Sequence, residues 1–541
     1  MVDDNYLYIG KKGYTIPKSI LTVQQEKKIR EELTITPKIH GAPNTNPQGF
    51  PVYRESNNKI YVPHYYGVEH YGNVDKVKIK NGEDITLEFK GSLRDNQKGV
   101  VSTYLDHVSK TKIGGGLLEL PCAFGKTVLS LNIISELKKK TLIIVHKEFL
   151  MNQWIERIEQ FLPKARIGKI QGQVIDIDDK DIVIGMLQSL SMKEYPSTIF
   201  DSFGLTIIDE VHHISSEVFS KTLFKIITKY MLGLSATMDR KDGTTFVFKM
   251  FLGPVVFKGA RDSEHKVVVK GIEYKTEDEE FNEVKYDYRG NPAYSSMISK
   301  LCDYNRRSEF ILTVLGDLLK DTSSCKQIMI LAHNKCLLKY LYDAISHRNM
   351  TTVGYYIGGM KQTALKETEG KKIVIATYAM AAEALDIKTL TTLIMATPKT
   401  DIQQSVGRIL REKHSSPLVI DIIDSHGLFQ NQWRKRKTFY RRENYKILYT
   451  DSNKYCIDNS SWKLVFQPND KRKINTSTVS RKKNCSVKSN TSDNSITEDS
   501  EDDNTEGGNG YDSDNNTGVG AGVGKCLLTP LVKKDNVNNN K

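Results

Sequence analysis

Short apolar runs alternate with amphipathic stretches through most of this chain, and this alternation restricts its fold more than any other feature. Continuous apolar runs of four to eight residues are typical of strands that are buried on both faces of a parallel sheet. The stretches between them, such as VLSLNIISELKKK (128–140), have the spacing of helices. The runs are TLIIVH (141–146), DIVIGM (181–186) and LTIIDE (205–210), then QIMILAH (327–333), KIVIAT (372–377), TLIMAT (392–397) and LVIDII (418–423). The pattern predicts two α/β domains in tandem.

The composition along the chain predicts where these domains begin and end. Residues 1–88 mix short β-like runs with Pro, Gly and Asn, which indicates a small N-terminal accessory domain. The first α/β domain is predicted at 89–257, a linker at 258–300 and the second α/β domain at 301–450. Residues 451–541 are a C-terminal extension, which we predict to be disordered from about residue 468 because it has too few apolar residues to offset the entropy of ordering.

Length, charge and cysteine usage limit the class of protein. At 541 residues the chain is longer than one core usually organises, and its net charge of +13 favours a polyanionic partner such as nucleic acid. The 7 cysteines form no CxxC pair, so neither a zinc site nor a disulfide framework is indicated and we expect an intracellular protein. We expect no membrane association, since neither a membrane-length apolar run nor a signal peptide is evident.

The string LPCAFGKT (120–127) lies between the apolar run GGGLLEL and a helix pattern. A loop in this place can solvate phosphates with its amides and with the helix N-terminus. Lys126 would then reach the β and γ phosphates, and the Thr127 hydroxyl would ligate Mg²⁺. Leu120 and Ala123 stand where the strict pattern has glycine, so on the local string alone a chance apolar stretch remains an alternative.

The run LTIIDEVHH (205–213) delivers two acids at the carboxyl end of a predicted strand, where ligands of open α/β sheets bind. Asp209 would hold the Mg²⁺ shell and Glu210 would polarise the attacking water. The alternative is a strand end with solvated acids. For His212 and His213 we expect no metal site, because no further ligand occurs at a suitable spacing.

Two further basic segments lie in the second half of the chain. In QQSVGRILR (403–411), Arg408 and Arg411 would project from one face of a helix and stabilise charge on a γ-phosphate, or they would form a solvated basic face. RKRKTFYRRENYK (434–446) interleaves cations with aromatic residues, which fits either a nucleic-acid track or a solvated helix.

The order of these motifs resembles that of superfamily 2 helicases of the DEAD/DEAH-like class, over about residues 90–445. Besides the segments above, the likeness rests on LRDNQ (93–97), IIVHKEFLMNQW (143–154), IGMLQSL (184–190), SAT (235–237) and ATYAMAAEALDI (376–387). SATMDRKDG and HKEFLMNQW look most like the XPB/UvsW branch and the transcript-release DNA helicases of poxviruses and other large DNA viruses. Ala123 and Ala384 depart from the usual glycines of these motifs.

The resemblance implies two tandem RecA-like P-loop domains that bind ATP and Mg²⁺ in a cleft and a nucleic-acid strand across both. It implies an ATP-dependent helicase or translocase, with DNA favoured, an RNA helicase as the alternative, and a binding factor with weak ATPase as a third hypothesis. Transcription or repair machinery is the expected partner. The expected location is the virion and host cytoplasm if the protein is viral, with the nucleus also possible.

The resemblance also assigns roles to individual residues. Gln97 would contact adenine, and the second domain would line the cleft with Glu383 and Asp386. The phosphate loop would comprise Pro121, Cys122, Ala123, Phe124, Gly125, Lys126 and Thr127. Coupling of nucleotide state to strand grip would fall to His212, Ser235, Ala236, Thr237 and Gln404. The strand itself would contact His146, Gln188 and Thr377.

Overall fold

The computed structural model describes most of the first 468 residues. The described ranges are 6–38, 48–111, 113–121, 124–196, 198–214, 216–238, 240, 242–259, 266–320, 327–383, 385, 387–410, 414, 417–455 and 461–468. The predicted disordered tail lies almost wholly outside these ranges. No helix within them is both long and apolar enough to cross a membrane.

The N-terminal domain is built on a small antiparallel sheet. Its elements are β1 (Tyr8–Gly10), β2 (Gly13–Pro17), a 3₁₀ turn (Lys18–Ile20), α1 (Val23–Glu32), β3 (Thr34–Ile35), β4 (Phe50–Pro51), β5 (Arg54–Glu55), β6 (Lys59–Val62) and α2 (His64–Tyr71). The sheet order is β1-β2-β6-β5, and β3 pairs with β4. Helix α1 starts at a capping box, because Thr22 and Gln25 each accept the other's backbone N–H.

The first α/β lobe follows. Its elements are α3 (Asp95–Ser109), β7 (Gly114–Glu119), α4 (Lys126–Leu137), β8 (Thr141–Val145), α5 (Glu148–Phe161), β9 (Ile167–Gln171), β10 (Val174–Asp176), β11 (Ile182–Met186), α6 (Leu187–Met192), β12 (Leu205–Ile208), a 3₁₀ turn (Val211–His213), α7 (Ser216–Leu223), β13 (Tyr230–Ser235), α8 (Thr245–Leu252) and β14 (Val255–Lys258). The strand order is β10-β9-β11-β8-β12-β13-β7-β14. All neighbours are parallel except β9 and β10.

The second lobe repeats this architecture. Its elements are β15 (Val268–Tyr274), α9 (Glu279–Asn282), α10 (Tyr294–Asp303), α11 (Asn305–Lys320), β16 (Gln327–Ala332), α12 (Lys335–His347), β17 (Val353–Tyr356), α13 (Gln362–Glu369), β18 (Ile373–Thr377), α14 (Tyr378–Glu383), β19 (Leu390–Met395), α15 (Gln403–Gly407), a 3₁₀ turn (Arg408–Leu410), β20 (Leu418–Asp424), α16 (Gly427–Arg442), β21 (Lys446–Asp451) and β22 (Lys463–Phe466). The order is β17-β18-β16-β19-β20-β15-β21-β22, and only β22 is antiparallel to its neighbour.

The two sheets confirm the predicted α/β class. Each predicted apolar run overlaps a strand, and β8 and β12 are buried at every position, as strands covered on both faces should be. The second sheet, however, begins at Val268, inside the interval predicted as a linker, and it reaches Phe466, beyond the predicted boundary at 450. Strand β15 was not predicted from the sequence, because Lys270, Gly271 and Glu273 interrupt its apolar residues.

The carboxyl ends of the strands gather the residues singled out by the sequence. In the first lobe β7 leads into the loop before Lys126, β12 ends immediately before Asp209, and β13 ends at Ser235. Parallel strands place all such ends on one edge of the sheet, where ligands of open α/β sheets bind. The fold therefore places these distant segments on one edge of one sheet.

Candidate functional site

The loop before α4 ends in a backbone conformation that favours glycine. Gly125 begins the helix in the left-handed region (φ 87°, ψ 41°), and a Cβ there would lie 2.4 Å from the Gln97 amide nitrogen. The Phe124 N–H donates to the Pro121 carbonyl at 3.2 Å. Cys122 and Ala123, two predicted loop residues, lie outside the described residues.

Gln97 holds this loop from below. Its side-chain N–H donates to the Phe124 carbonyl at 2.8 Å, and its oxygen accepts from the Arg94 backbone N–H at 2.9 Å. The Arg94 guanidinium donates to the same Phe124 carbonyl. Because Gln97 is only 3% exposed, the structure gives it a loop-supporting position, and the predicted adenine contact stays a prediction.

Lys126 and Glu210 form an ion pair across the site, from the first turn of α4 to the end of β12. Burial raises the pKa of Glu210, but the positive charge of Lys126 outweighs it and brings that pKa down to about 2. Glu210 also adopts a left-handed backbone (φ 49°), which is strained for a residue with a Cβ. The structure thus brings together two residues that the sequence analysis assigned to phosphate binding and to water activation, and those two roles stay predictions.

Asp209 lies deeper than Glu210 and has its own partners. One carboxylate oxygen accepts from the Trp154 indole N–H at 2.9 Å and the other from the Glu210 backbone N–H at 3.0 Å. Burial, together with the negative charge of Glu210, raises the pKa of Asp209 to about 6. The sequence did not single out Trp154, although it ends the quoted segment IIVHKEFLMNQW.

His212 connects the acid strand to the end of β13. Burial lowers the pKa of its imidazole to about 3, so the ring is neutral, and its Nδ1 lies 2.6 Å from the Ser235 hydroxyl. Since that hydroxyl donates to the Thr237 carbonyl, we assign the imidazole proton to Nδ1. The other nitrogen, Nε2, is then an acceptor. Ala236, which lies between Ser235 and Thr237 in the chain, is buried.

Gln404 brings the second lobe to these histidines. Its amide nitrogen lies 3.1 Å from Nε2 of His213 and 3.4 Å from Nε2 of His212. The predicted coupling residues His212, Ser235 and Gln404 therefore form one hydrogen-bonded series between the lobes. His213 was not predicted to take part.

Glu210, His212 and His213 place their ligand atoms within 4.8 Å of one another. The 3₁₀ turn thus places Glu210 beside the two histidines, a proximity that the sequence analysis did not consider when it expected no metal site there. Each residue already has a protein partner, namely Lys126, Ser235 and Gln404 respectively.

Arg240 supports the histidine turn from behind and was missed by the sequence analysis. One guanidinium nitrogen donates to the carbonyls of His212 and Ile214, each at 2.6 Å. The Asp242 carboxylate accepts hydrogen bonds from the other two guanidinium nitrogens, at 2.5 and 3.0 Å. The backbone carbonyl of Asp242 in turn accepts from the Lys38 N–H of the N-terminal domain.

Two residues that were predicted to contact the nucleic-acid strand lie together in the first lobe. The Gln188 amide donates to the His146 carbonyl at 3.1 Å, and the His146 ring lies 5.7 Å from that of His213. Thr377 ends β18 in the second lobe, where its hydroxyl accepts from the Met380 N–H. Both positions are at the carboxyl edges of their sheets.

The arginine segment differs in part from its prediction. The α-helix ends at Gly407 and Arg408 starts a 3₁₀ turn, so the expected continuous α-helix is not present. Arg408 donates to the Leu385 carbonyl at 2.9 Å, within its own lobe. Arg411 and Asp386 lie outside the described residues, as does the side chain of Glu383.

Helix α16 corrects the interpretation of the basic run at 434–446 as a stacking track. Phe439 and Tyr440 are buried in the second-lobe core, and Arg436 is fully buried in a two-bond ion pair with Asp421. The exposed residues Arg434, Arg441 and Arg442 form the helix's solvated side. The rings of Phe439 and Tyr440 thus pack in the hydrophobic core, and neither ring is available to stack on bases.

Comparison with known proteins agrees with this geometry. Residues 90–240 match the family described as "Type III restriction enzyme, res subunit". A protein of Acanthamoeba polyphaga mimivirus, named "Putative ATP-dependent RNA helicase", is 36% identical over 480 residues, which cover 86% of this chain and 90% of that protein. The chain belongs to the superfamily 2 helicases, in the group found in large DNA viruses.

More distant relatives of this helicase are also viral. One from African swine fever virus (isolate Pig/Kenya/KEN-50/1950), named "Putative ATP-dependent RNA helicase", is 27% identical over 65% of this chain and 73% of its own length. The solved structure of T4 UvsW aligns with 80% of this chain and 96% of its own, at 19% identity and a TM-score of 0.30. The viral relatives and the matching family model show an ATP-dependent enzyme that acts on nucleic acid.

Proposed function

We propose that this helicase hydrolyses ATP between Lys126 and Glu210 and uses the closure of its two lobes to move along DNA. The contact of Gln404 with His212 and His213 carries the proposal, because it joins the second lobe to the turn that follows the catalytic acids. Any change at Glu210 that shifts this turn alters the contact between the lobes. Hydrolysis and lobe movement would be coupled in this way.

Lys126 and Glu210 hold each other before nucleotide binds. The ion pair compensates two half-buried charges, which would otherwise be costly to desolvate. A triphosphate would take over Lys126 and leave the Glu210 carboxylate to accept a proton from water. Arg408 and Arg411 are proposed to approach the γ-phosphate from the second lobe, with Asp386 beside them.

The residues present fit a magnesium ion. Each Asp209 oxygen accepts one hydrogen bond and retains a lone pair, and the Thr127 hydroxyl lies on the first turn of α4. Oxygen donors of this kind suit Mg²⁺, which usually keeps several waters and few protein ligands. When bound, the ion would neutralise phosphate charge. Asp209 would orient its water shell, and Trp154 fixes Asp209 for that task.

DNA is the favoured polymer for two reasons. The matching family is named after a restriction enzyme subunit, and the segment SATMDRKDG resembles that of the XPB/UvsW branch. RNA is the second candidate, since the mimivirus and African swine fever virus relatives carry the name RNA helicase. We propose transcription or repair machinery as the partner. For a viral protein the proposed location is the virion and host cytoplasm, with the nucleus as the alternative.

The test is ATP turnover with single-stranded DNA, duplex DNA, single-stranded RNA or no polymer. We expect low basal turnover, stimulation by DNA and loss of all turnover in Lys126→Ala. Stimulation by RNA alone would show that the substrate is RNA and not DNA. Tight binding of polymer without any turnover would instead indicate a remodelling factor with weak ATPase.

A further inference from the structure

The sheet of the N-terminal domain has two faces of different chemistry, and neither belongs to the ATP site. Paired residues in a sheet share a face, so the register assigns each side chain to one side. Ile9, Tyr14, Ile16, Ile60 and Val62 point inward and form this domain's core with α1 and α2.

The opposite face carries tyrosines and cations. Tyr8 pairs with Thr15, Thr15 with Tyr61, and Tyr61 with Arg54, while Lys59 pairs with Pro17. A bridge between Ile9 and Val77 adds one more segment beside β1 and turns Lys76 and Lys78 to the same side as Tyr8. None of these described outward positions holds an acid. We call the set Tyr8, Lys59, Tyr61, Lys76 and Lys78 the tyrosine–lysine face.

The cations of this face lie close to its rings. Lys78 Nζ lies 4.3 Å from the centroid of the Tyr8 ring and Lys59 Nζ 5.4 Å from it. Lys12 Nζ lies 5.0 Å from the Tyr61 ring. At the sheet's edge Lys76 Nζ lies 3.8 Å from Tyr6, whose ring is 5.8 Å from that of Tyr8. Ammonium groups and aromatic faces thus alternate across one surface.

The sheet β1-β2-β6-β5 and helix α2 contact the amino-terminal edge of the first sheet, although the segment after β3 reaches Asp242 on the other side through the Lys38 N–H. The Tyr65 hydroxyl donates to the Gly115 carbonyl at the start of β7, and Lys11 pairs with Asp201 shortly before β12. The Glu83 N–H donates to the Ser202 carbonyl in the same region. A ligand on the tyrosine–lysine face would therefore bind separately from the carboxyl edge that carries His146 and Gln188.

We propose that the tyrosine–lysine face is a second binding site for single-stranded nucleic acid, an inference that rests on the nucleic-acid function proposed above. Unpaired bases stack on aromatic rings, and nearby cations neutralise the phosphates between them. Tyr8 and Tyr61 are two strands apart, a separation of about 10 Å, so each ring receives its own base. When a strand binds, each lysine leaves its contact with a tyrosine ring and pairs with a phosphate. A duplex, whose bases are stacked on each other, does not use the rings.

The full-length protein tests this with fluorescence anisotropy of labelled oligothymidylate and oligouridylate of about 15 nucleotides. The variant Tyr8→Ala/Tyr61→Ala should bind the strand at least about fivefold more weakly, since stacking contributes roughly that factor or more per base. Lys59→Glu/Lys78→Glu, which keeps the rings, should weaken binding and reduce its salt dependence. A loss for only one of the two probes identifies which polymer the face takes.

Two matched controls separate this site from general effects. Tyr286→Ala/Tyr288→Ala removes two tyrosines that are 62% and 88% exposed on the second lobe, and it should leave strand affinity unchanged. Lys27→Glu/Lys28→Glu makes the same change of charge on α1 of the same domain, where both lysines are exposed. Tyr8→Phe/Tyr61→Phe should restore binding if the rings stack, and thermal melting checks folding of each variant.

Localisation comes from photocrosslinking with a thio-substituted strand. Crosslinked peptides that contain Tyr8 or Tyr61 support the site. Wild-type affinity in both the tyrosine and the lysine variants, with no crosslink within residues 6–78, overturns it and assigns the face to a protein partner. Failure of the proposed helicase function has another signature, because then no polymer stimulates ATP turnover even in the wild-type protein.

Discussion

The side-chain nitrogen of Gln404, in the second lobe, lies 3.1 Å from Nε2 of His213 in the first. The same nitrogen is 3.4 Å from His212, whose other ring nitrogen meets Ser235. The neutral imidazole can accept from Gln404 only while its proton stays on the Ser235 side. The contact between the lobes therefore depends on the turn that follows Glu210.

Gln404→Ala should uncouple the lobes without disabling the ATP site. We expect polymer-stimulated ATP turnover to fall about tenfold, within the usual range of coupling energies, while basal turnover changes little. Steady-state turnover with and without polymer measures this. Gln403→Ala, at the neighbouring and similarly half-buried position, is the control. Equal stimulation in wild type and Gln404→Ala would show that this contact does not couple polymer binding to ATP turnover.

Lys126→Ala should abolish ATP turnover and weaken nucleotide binding, because it removes the phosphate contact and leaves Glu210 buried without its cation. Glu210→Gln should still bind ATP but turn over about 10²- to 10⁴-fold more slowly, as expected for loss of a general base. Fluorescent-nucleotide binding and single-turnover hydrolysis separate the two effects. Lys139→Ala, which breaks an ion pair with Asp84 beyond the far end of α4, is the control and should turn over normally.

Sequence reasoning found the residues whose position follows from the strand pattern alone. Asp209 and Glu210 directly follow β12, Lys126 follows the loop after β7, and parallel strands bring their carboxyl ends together. The proximity of Lys126 to Glu210, 84 positions later in the chain, was therefore predictable.

Contacts that depend on loop geometry were not predictable in this way. His213 reaches Gln404 only because Glu210 takes a left-handed backbone and a 3₁₀ turn follows, and neither is written in a hydrophobic pattern. Nothing in the sequence distinguishes Arg240 from other cations, and only the loop after β13 places it at the His212 carbonyl. The aromatic residues of α16 look alike in sequence whether they stack on bases or fill a core.

Arg240→Ala should slow hydrolysis by loosening the turn that carries His212 and Ile214. We expect kcat to fall up to about 100-fold, the effect of small misplacements in an active site, with little change in KM for ATP. Arg240→Lys should not rescue, since one ammonium cannot replace a fork that serves two carbonyls and Asp242.

Asp242→Asn should act in the same direction as Arg240→Ala, and the double variant should be less than additive, because both belong to one network. Arg54→Ala is the matched control: this guanidinium is also half-buried, over Phe224, and donates to the Lys221 carbonyl rather than to the histidine turn. A fall in kcat for Arg54→Ala as large as that for Arg240→Ala would reduce the role of Arg240 to general stability.

The second lobe contains a fully buried ion pair, Arg307 with Asp424, joined by hydrogen bonds of 2.6 and 2.8 Å. Asp424→Asn should reduce the free energy of unfolding by about 3–5 kcal/mol, because it leaves a buried guanidinium without its counter-charge. Arg307→Met/Asp424→Leu should recover much of that loss, since it removes both desolvated charges. Urea unfolding curves measure both effects. Glu309→Gln, which breaks the exposed pair with Arg348, should hardly move the midpoint. Equal destabilisation by Asp424→Asn and Glu309→Gln would contradict the account, because burial is the property in which the two pairs differ most.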